Sequence, residues 1–163
     1  MKMKHFFWWA MAVVLAGCAG EPTWLPLGVT RAQALQQLGN PTASYALPGG
    51  GERLQYSRAP MGFQVSNVDI DASGRVVSVR QELSEALFDR TIQPGVWRTE
   101  DMLRTYGRPY EITHVASFDG NIWTWRYKAI SEYRLLYIYV RPDGVVDRYQ
   151  TVDDLQSVSA MRW

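Results

Sequence analysis

Two short stretches of this chain look like helices whose ends are specified by the sequence. The first is Gly28–Pro41. Thr30 can accept a hydrogen bond from a first-turn N–H, and Gln33, three residues later, can complete a capping box. Gly39 suits the left-handed conformation that ends a helix, and Pro41 prevents its continuation. Three apolar residues between these ends form one narrow face: Ala34, Leu35 and Leu38.

The second stretch, Gly95–Pro109, repeats this arrangement. We expect Thr99 to be its N-cap, with Glu100 and Asp101 placing negative charge at the positive end of the helix. Met102, Leu103 and Tyr106 repeat the apolar face. Helices this short are marginal alone, so each requires a sheet to pack against. The alternative is two unrelated helix caps of a common type.

Alternating apolar and polar residues predict strands after each helix. In the first half these are Arg53–Tyr56, Phe63–Ile70 and Arg75–Gln81; in the second they are Asn121–Lys128, Tyr133–Val140 and Val145–Val152. A short helix is predicted at Ser84–Arg90, between the two halves. Since helix, strands and a Gly-containing turn recur in the same order, the pattern indicates an internal duplication. We predict an α+β fold of two tandem helix–antiparallel-strand units, 27–82 and 83–152, and a C-terminal tail at 153–163.

The N-terminus has the composition of a secretory signal. Lys2 and Lys4 precede the uncharged apolar run Phe6–Ala16, and small residues lead to Cys18. The run is too short to span a bilayer comfortably. The sequence Leu-Ala-Gly-Cys resembles the bacterial lipobox, in which the Cys is acylated and becomes the first residue after cleavage. We therefore predict a signal peptide at 1–17 and a lipidated tether at 18–26. The alternative is an ordinary signal peptide that ends near a cysteine.

Cys18 is the only cysteine of the chain, so no intramolecular disulfide can form. The lipobox resemblance implies three acyl chains, and more than one chain makes membrane anchoring stable. Ala19 follows the cysteine, where inner-membrane lipoproteins of Gram-negative bacteria commonly have Asp. This favours the outer membrane, with the protein facing the periplasm.

Charge and motifs narrow the function classes. The chain has 17 basic and 16 acidic residues without a basic run, which argues against nucleic acid as a partner. Asp69, Asp71, Ser73 and Gly74 mimic the start of a calcium loop, but Arg80 occupies the position that requires a bidentate Glu, so a hairpin turn is the better interpretation. His114 has no recognisable catalytic partner spacing. We expect no enzyme activity, no metal, no cofactor and no small-molecule substrate.

The combination of Gly-x-Thr, an apolar helix, Leu-Gly-x-Pro, Tyr-or-Trp-x-Tyr and a Gly-Val hairpin resembles the SmpA/OmlA (BamE-like) outer-membrane lipoproteins. The junction Leu83–Gly95 resembles the entry to that motif especially well. The resemblance covers about 25–152 as two copies, and the tandem arrangement resembles the β-lactamase inhibitor protein. Trp97 departs from the pattern, since a small residue is usual there. The resemblance implies short helices packed on one face of an antiparallel sheet, with the other face open.

Aromatic residues on the predicted strands are candidates for a protein-binding surface. Side chains alternate along a strand, so Trp123, Trp125 and Tyr127 share one side, and Tyr137 and Tyr139 share a side of the next strand. An exposed row would suit protein binding, whereas a covered row would be cross-strand packing in a small core. Trp97 is a further candidate, and it could instead cap the core.

These features predict an outer-membrane-anchored periplasmic lipoprotein that acts as a non-catalytic protein-binding scaffold or assembly accessory of the cell envelope. Its partners would be an envelope or outer-membrane protein and, through the lipid on Cys18, the membrane. The alternative is a binding or inhibitor module for a soluble periplasmic protein, acting through the open sheet face.

Overall fold

The computed structural model describes residues 21–155. The predicted signal peptide, Cys18 and most of the predicted tail lie outside these residues. The fold is α+β, with two four-stranded antiparallel sheets. The first part of the chain forms a 3₁₀ turn at Pro22–Trp24, then α1 Arg31–Leu38, β1 Ala43–Ala46, β2 Glu52–Ser57, β3 Val65–Ile70 and β4 Val76–Gln81. The second part forms α2 Glu85–Thr91, α3 Thr99–Tyr106, β5 Glu111–Thr113, β6 Asn121–Lys128, β7 Tyr133–Val140 and β8 Val146–Asp153.

Each sheet follows chain order, β1-β2-β3-β4 and β5-β6-β7-β8. The predicted bounds of β6 and β7 are confirmed, and β2, β3, β4 and β8 differ from the prediction by one or two residues. The short strands β1 and β5 were not predicted. They lie at sheet edges and have four and three residues, too few for alternation to stand out. Within residues 21–155, no helix combines the length and the apolar character needed to cross a bilayer.

The predicted capping box of α1 is confirmed. The Gln33 N–H donates to the Thr30 hydroxyl (3.3 Å), and the Thr30 N–H donates to the Gln33 side-chain oxygen (2.8 Å). At the other end the Gly39 N–H donates to the Leu35 carbonyl (2.8 Å). Gly39 has φ of +77°, a conformation that a side chain would disfavour.

The predicted N-cap of α3 is wrong by one residue. Thr99 is the first helical residue, and Arg98 occupies the cap position. Arg98 is still held in an isolated β-bridge to Val145, so the chain turns into the helix only after it. The Asp101 carboxylate accepts the Arg98 N–H (2.8 Å) and thereby stabilises the start of the helix.

Both helix entries are tied to the last hairpin of their own sheet by similar bonds. The Gly28 N–H donates to the Val76 carbonyl, and the Gly95 N–H donates to the Val146 carbonyl, both at 2.7 Å. Trp97 accepts the Val146 N–H (2.8 Å) through its backbone carbonyl. In the first part Val29, one residue after Gly28, accepts the Val76 N–H in the same way (2.9 Å), so the second entry has one residue more between the glycine and this bond.

Two hydrophobic clusters stabilise the fold. In the first, Ala34 and Leu38 of α1 pack with apolar side chains of the first sheet: Leu54, Val68, Ile70 and Val76. In the second, side chains of α2 and α3 pack on the second sheet. Its largest members are Phe88, Met102, Tyr106, Trp125, Tyr127 and Leu136. Each cluster therefore combines helix and strand side chains, and Val65 of β3 in the first sheet belongs to the second cluster.

The last turn of α3 also contacts the opposite face of the first sheet. The Gln55 amide donates to the carbonyls of Leu103 and Arg104, each at 3.2 Å. The Asn67 amide donates to the Thr105 carbonyl (3.0 Å). The Leu103 carbonyl also accepts the Gly107 N–H (2.9 Å). Carbonyls later in the last turn of a helix have no N–H of the helix to pair with, so donors from outside offset the cost of removing them from water. These side chains therefore join the first sheet to the second core.

Glu82 is buried beside this contact, with 2% of its surface exposed. Its carboxylate accepts the Asn67 amide N–H (3.3 Å) and lies 3.3 Å from the Arg80 guanidinium. Burial raises the pKa of Glu82, while Arg80, the Asn67 bond and Arg53 oppose the rise and Asp69 adds to it. The net direction is upward because removal from water disfavours the charged form.

We expect Gln55→Ala to lower the free energy of unfolding by about 1–3 kcal/mol, because the buried Asn67 carboxamide and two part-buried carbonyls of α3 lose their amide donor. Urea unfolding followed by circular dichroism measures this loss. The control is Gln37→Ala, which truncates the same side chain on the exposed side of α1 and should change stability by about 0.5 kcal/mol or less. Equal effects of the two variants would contradict the role assigned to Gln55.

We expect Glu82→Gln to remove a pH-dependent component of stability. Because the folded-state pKa of Glu82 lies above its ordinary value of 4.5, the folded protein binds the proton more tightly than the unfolded chain. The resulting stabilisation is present below pH 4.5 and is lost as pH rises through the folded-state pKa. The variant should therefore gain stability relative to the parent between about pH 4.5 and 7. Urea unfolding at several pH values tests this, with the exposed Glu132→Gln as control. A difference in unfolding free energy, variant minus parent, that stays constant or decreases as the pH rises would refute it.

Candidate binding surface

The six aromatic residues proposed for protein binding lie on both sides of the second sheet. In the register between β6 and β7, Trp125 is opposite Leu136, and Thr124 is opposite Tyr137. Directly opposite residues in an antiparallel pair point to the same face. The Trp123–Trp125–Tyr127 row therefore faces α2 and α3, and Tyr137 and Tyr139 face the other way.

Trp125 and Tyr127 are core residues, which corrects their assignment to a binding surface. Their exposed fractions are 1% and 0%. The Trp125 indole N–H donates to the Gly107 carbonyl (3.3 Å), and the Tyr127 hydroxyl donates to the Glu85 carboxylate (2.6 Å). Since both polar groups have partners inside the protein, neither side chain is available to another molecule in this structure.

Trp97 and Trp123 are half-buried against the same core. The Trp97 ring centroid lies 6.0 Å from that of Tyr106, and the Trp123 ring centroid lies 6.1 Å from that of Trp125. Their position on the helix side separates them from Tyr137 and Tyr139. The structure thus favours the core interpretation for the tryptophan row.

Tyr139 faces away from the helices, but other side chains cover it. Its ring forms an edge-to-face pair with Phe118 at 5.2 Å. The Arg148 guanidinium carbon lies 3.9 Å from the Tyr139 ring centroid, and the Gln150 amide donates to the tyrosine hydroxyl (2.9 Å). Tyr139 has 9% of its surface exposed. It therefore packs within this face of the sheet and offers little area for contact with a partner protein.

Tyr137 is half-buried and lines a cleft of about 470 Å³, which we call the tyrosine cleft. Neighbouring strands contribute Leu135 and Val152 on the same face, because Leu135 is opposite Val152 and Tyr137 is opposite Gln150 in the β7–β8 register. Polar groups at the cleft come from Arg126, Glu111 and Asp153. Tyr110 and Leu155 also line it, so the cleft combines two phenols, three aliphatic side chains and charges of both signs.

Arg126 is fixed in its place by several contacts. Its guanidinium donates to the Asp154 carboxylate at 2.8 and 3.1 Å. It also lies over the rings of Phe63 and Tyr110, at 4.8 and 5.3 Å from their centroids. Phe63 belongs to the loop between β2 and β3, so the first part of the chain forms one end of this surface. Burial, followed by the nearby Glu111, raises the pKa of Tyr137 above its ordinary value of 10.

The sequence contained a signal for Arg126 that the aromatic pattern obscured. In Trp123–Tyr127 the side chains alternate, so Thr124 and Arg126 must face away from the tryptophans. If the tryptophans are core, the arginine lies on the outer face. The contribution of Phe63 had no such signal, because it depends on how the two parts of the chain pack.

Two other sequence features have plain structural roles. The Asp71 carboxylate accepts the backbone N–H groups of Ser73 (2.9 Å) and Arg75 (3.0 Å), as expected for the hairpin turn. His114 is exposed, and its Nδ1 lies 2.7 Å from the Gly120 carbonyl. Across residues 21–155, no three His, Cys, Asp or Glu side chains lie together as metal ligands would.

No family model matches this chain, and no curated protein matches it. Among solved structures it is similar to a DUF4309 family protein (YjgB) from Bacillus subtilis subsp. subtilis str. 168. That likeness has 14% sequence identity and a TM-score of 0.32, and it covers 77% of this chain and 78% of the other. A likeness this distant supports no conclusion about the function.

We expect Trp125→Ala and Tyr137→Ala to differ sharply in stability, although both remove a large aromatic side chain from neighbouring strands. Removal of a buried ring leaves a cavity, so Trp125→Ala should cost about 3–5 kcal/mol. Tyr137→Ala on the outer face should cost about 1 kcal/mol. Thermal and urea unfolding measure both, and a larger loss for Tyr137→Ala would contradict the assignment of the two faces.

Proposed function

We propose that this protein is a periplasm-facing lipoprotein, anchored in the outer membrane through Cys18, that acts as a non-catalytic protein-binding scaffold or assembly accessory of the cell envelope. The observation that carries the binding role is the tyrosine cleft on the outer face of the second sheet. The lipobox-like sequence ending at Cys18 supports the anchor.

The composition of the cleft suits a protein partner. Tyrosine and arginine are enriched among residues that dominate binding energy at protein interfaces. Tyr137 is flanked by the half-exposed aliphatic side chains of Leu135 and Val152. Arg126 is already held by Asp154 and by two rings, so it loses little conformational freedom when a partner binds. Preorganised side chains of this kind favour affinity.

We also propose that the two parts of the chain are tandem units of the BamE-like kind, with short helices packed on one face of each sheet. The matching bonds at Gly28 and Gly95 support this, as do the left-handed Gly39 and Gly107 that end α1 and α3. The cores support it as well, since α1 packs with the first sheet and α2 and α3 pack with the second.

The opposite faces of the two units are used differently. In the first unit, Gln55 and Asn67 hold the last turn of α3, so this part of the face is occupied. In the second unit, the corresponding side of β6 and β7 presents the tyrosine cleft. The second unit therefore supplies the binding surface in this proposal, and the first unit connects it to the anchor.

We expect Tyr137→Ala to release a membrane-protein partner, because it removes the central aromatic contact of the cleft. The full-length tagged protein is purified from cross-linked, detergent-solubilised envelopes of a Gram-negative host, and partners are identified by quantitative mass spectrometry. Loss of a β-barrel or assembly protein in Tyr137→Ala, and its retention in the control Val77→Ala, is the expected result. Val77 is an exposed apolar strand residue of the first unit.

Cys18→Ala tests the anchor in the same experiment. The unlipidated protein should leave the membrane fraction and lose the membrane partner. A soluble periplasmic partner that binds without the lipid would instead support an inhibitor-like module. Partners that are indifferent to Tyr137→Ala would refute the role of the cleft.

A further inference from the structure

The segment that follows the predicted tether exposes two large apolar side chains. Trp24 is 82% exposed and Leu27 is 65% exposed. The stretch Pro22–Gly28 contains no charged residue. Single exposed apolar residues are common on protein surfaces. An exposed tryptophan beside a second exposed apolar residue, in an uncharged stretch, instead indicates a surface that contacts another molecule or a membrane.

This segment is fixed to the body of the first unit. Pro22 and Leu25 are buried, and Leu25 belongs to the first hydrophobic cluster. The Leu25 N–H closes the 3₁₀ turn on the Pro22 carbonyl (3.0 Å), and the Gly28 N–H is bonded to β4. Because Leu25 points inward, Trp24 and Leu27 are held on the outside of a rigid element.

The position of this element relative to Cys18 limits what it can meet. Four residue steps separate Cys18 from Pro22, and an extended chain covers at most about 14 Å over that length. A lipid on Cys18 therefore keeps Trp24 close to the bilayer surface. Tethering of this kind raises the effective concentration of the membrane at the exposed side chains.

The nearby charges are compatible with a lipid surface. The Glu21 carboxylate lies 3.3 Å from the Arg58 guanidinium, so the nearest acidic group is paired with a cation. Arg58 keeps 60% of its side chain exposed, where it can face anionic headgroups. Two side chains also present far less area than a stable protein–protein interface requires.

We propose that Trp24 and Leu27 insert into the interfacial region of the membrane and hold the first unit against the bilayer in a defined orientation. The proposal rests on the lipid anchor at Cys18 described above. Tryptophan is enriched at membrane interfaces because its ring is apolar and its N–H can reach the headgroup region. Leu27 adds apolar area beside it.

The test is quenching of tryptophan fluorescence by brominated lipid. The full-length chain is expressed in a Gram-negative host, extracted from membranes and reconstituted into vesicles of phosphatidylethanolamine and phosphatidylglycerol, with and without brominated phosphatidylcholine. Mass spectrometry of the N-terminal peptide reports separately whether Cys18 is acylated. If it is not, a maleimide lipid coupled to the single thiol of the mature chain, which begins at Cys18 and lacks Trp8 and Trp9, supplies the anchor for the same measurement.

Brominated lipid should quench the parent protein, and Trp24→Phe should lose more than half of the quenched intensity. Ile130→Ala is the matched control, because Ile130 is a fully exposed apolar residue of the second unit, and it should be quenched like the parent. Leu27→Asp should weaken quenching of the retained Trp24. Equal quenching of the parent and Trp24→Phe, or none in either, would overturn the membrane contact whether or not Cys18 is acylated.

Discussion

The arrangement of the molecule depends on how the end of one short helix is satisfied. The last turn of α3 presents part-buried carbonyl groups to the first sheet, and of these the Leu103 carbonyl also accepts the Gly107 N–H at the helix end. Gln55 and Asn67 supply the amide donors from the first sheet. Removing such carbonyls from water without donors would lower the free energy of unfolding by about 1–3 kcal/mol for each group. This polar contact joins the two parts of the chain together with Val65, a β3 residue that packs in the second hydrophobic cluster.

The same contact explains why the two sheets present different outer faces. On the first sheet, the polar row that includes Gln55, Asn67 and the ion pair of Arg53 with Asp69 is partly covered. On the second sheet, the side of β7 that carries Leu135 and Tyr137 faces away from α2 and α3 and lines the tyrosine cleft. Similar local rules thus produce one face that receives a helix end and another that forms a cleft.

Local sequence signals predicted the elements well, and long-range packing decided the rest. The sequence alone predicted the capping box of Thr30 and Gln33 and the bounds of β6 and β7. Helix caps and apolar–polar alternation depend on residues only a few positions apart, so they are visible in the sequence. Alternation also separated Trp125 from Arg126, but it could not say which side the helices would take. The cap of α3 was misplaced because a β-bridge at Arg98, formed with Val145, is invisible in local sequence.

The contact between α3 and the first sheet has a mechanical consequence. In the proposed arrangement the anchor precedes the first unit and the cleft lies on the second. Pulling force between the membrane and a bound partner would then pass both through the connecting chain at Leu83 and across the bonds made by Gln55 and Asn67. Separating the two parts would break those bonds and expose the buried Glu82 at the same time. The junction would therefore resist the pulling force as one cooperative element. The two units would act as a single stiff spacer and not as two domains joined by a flexible linker.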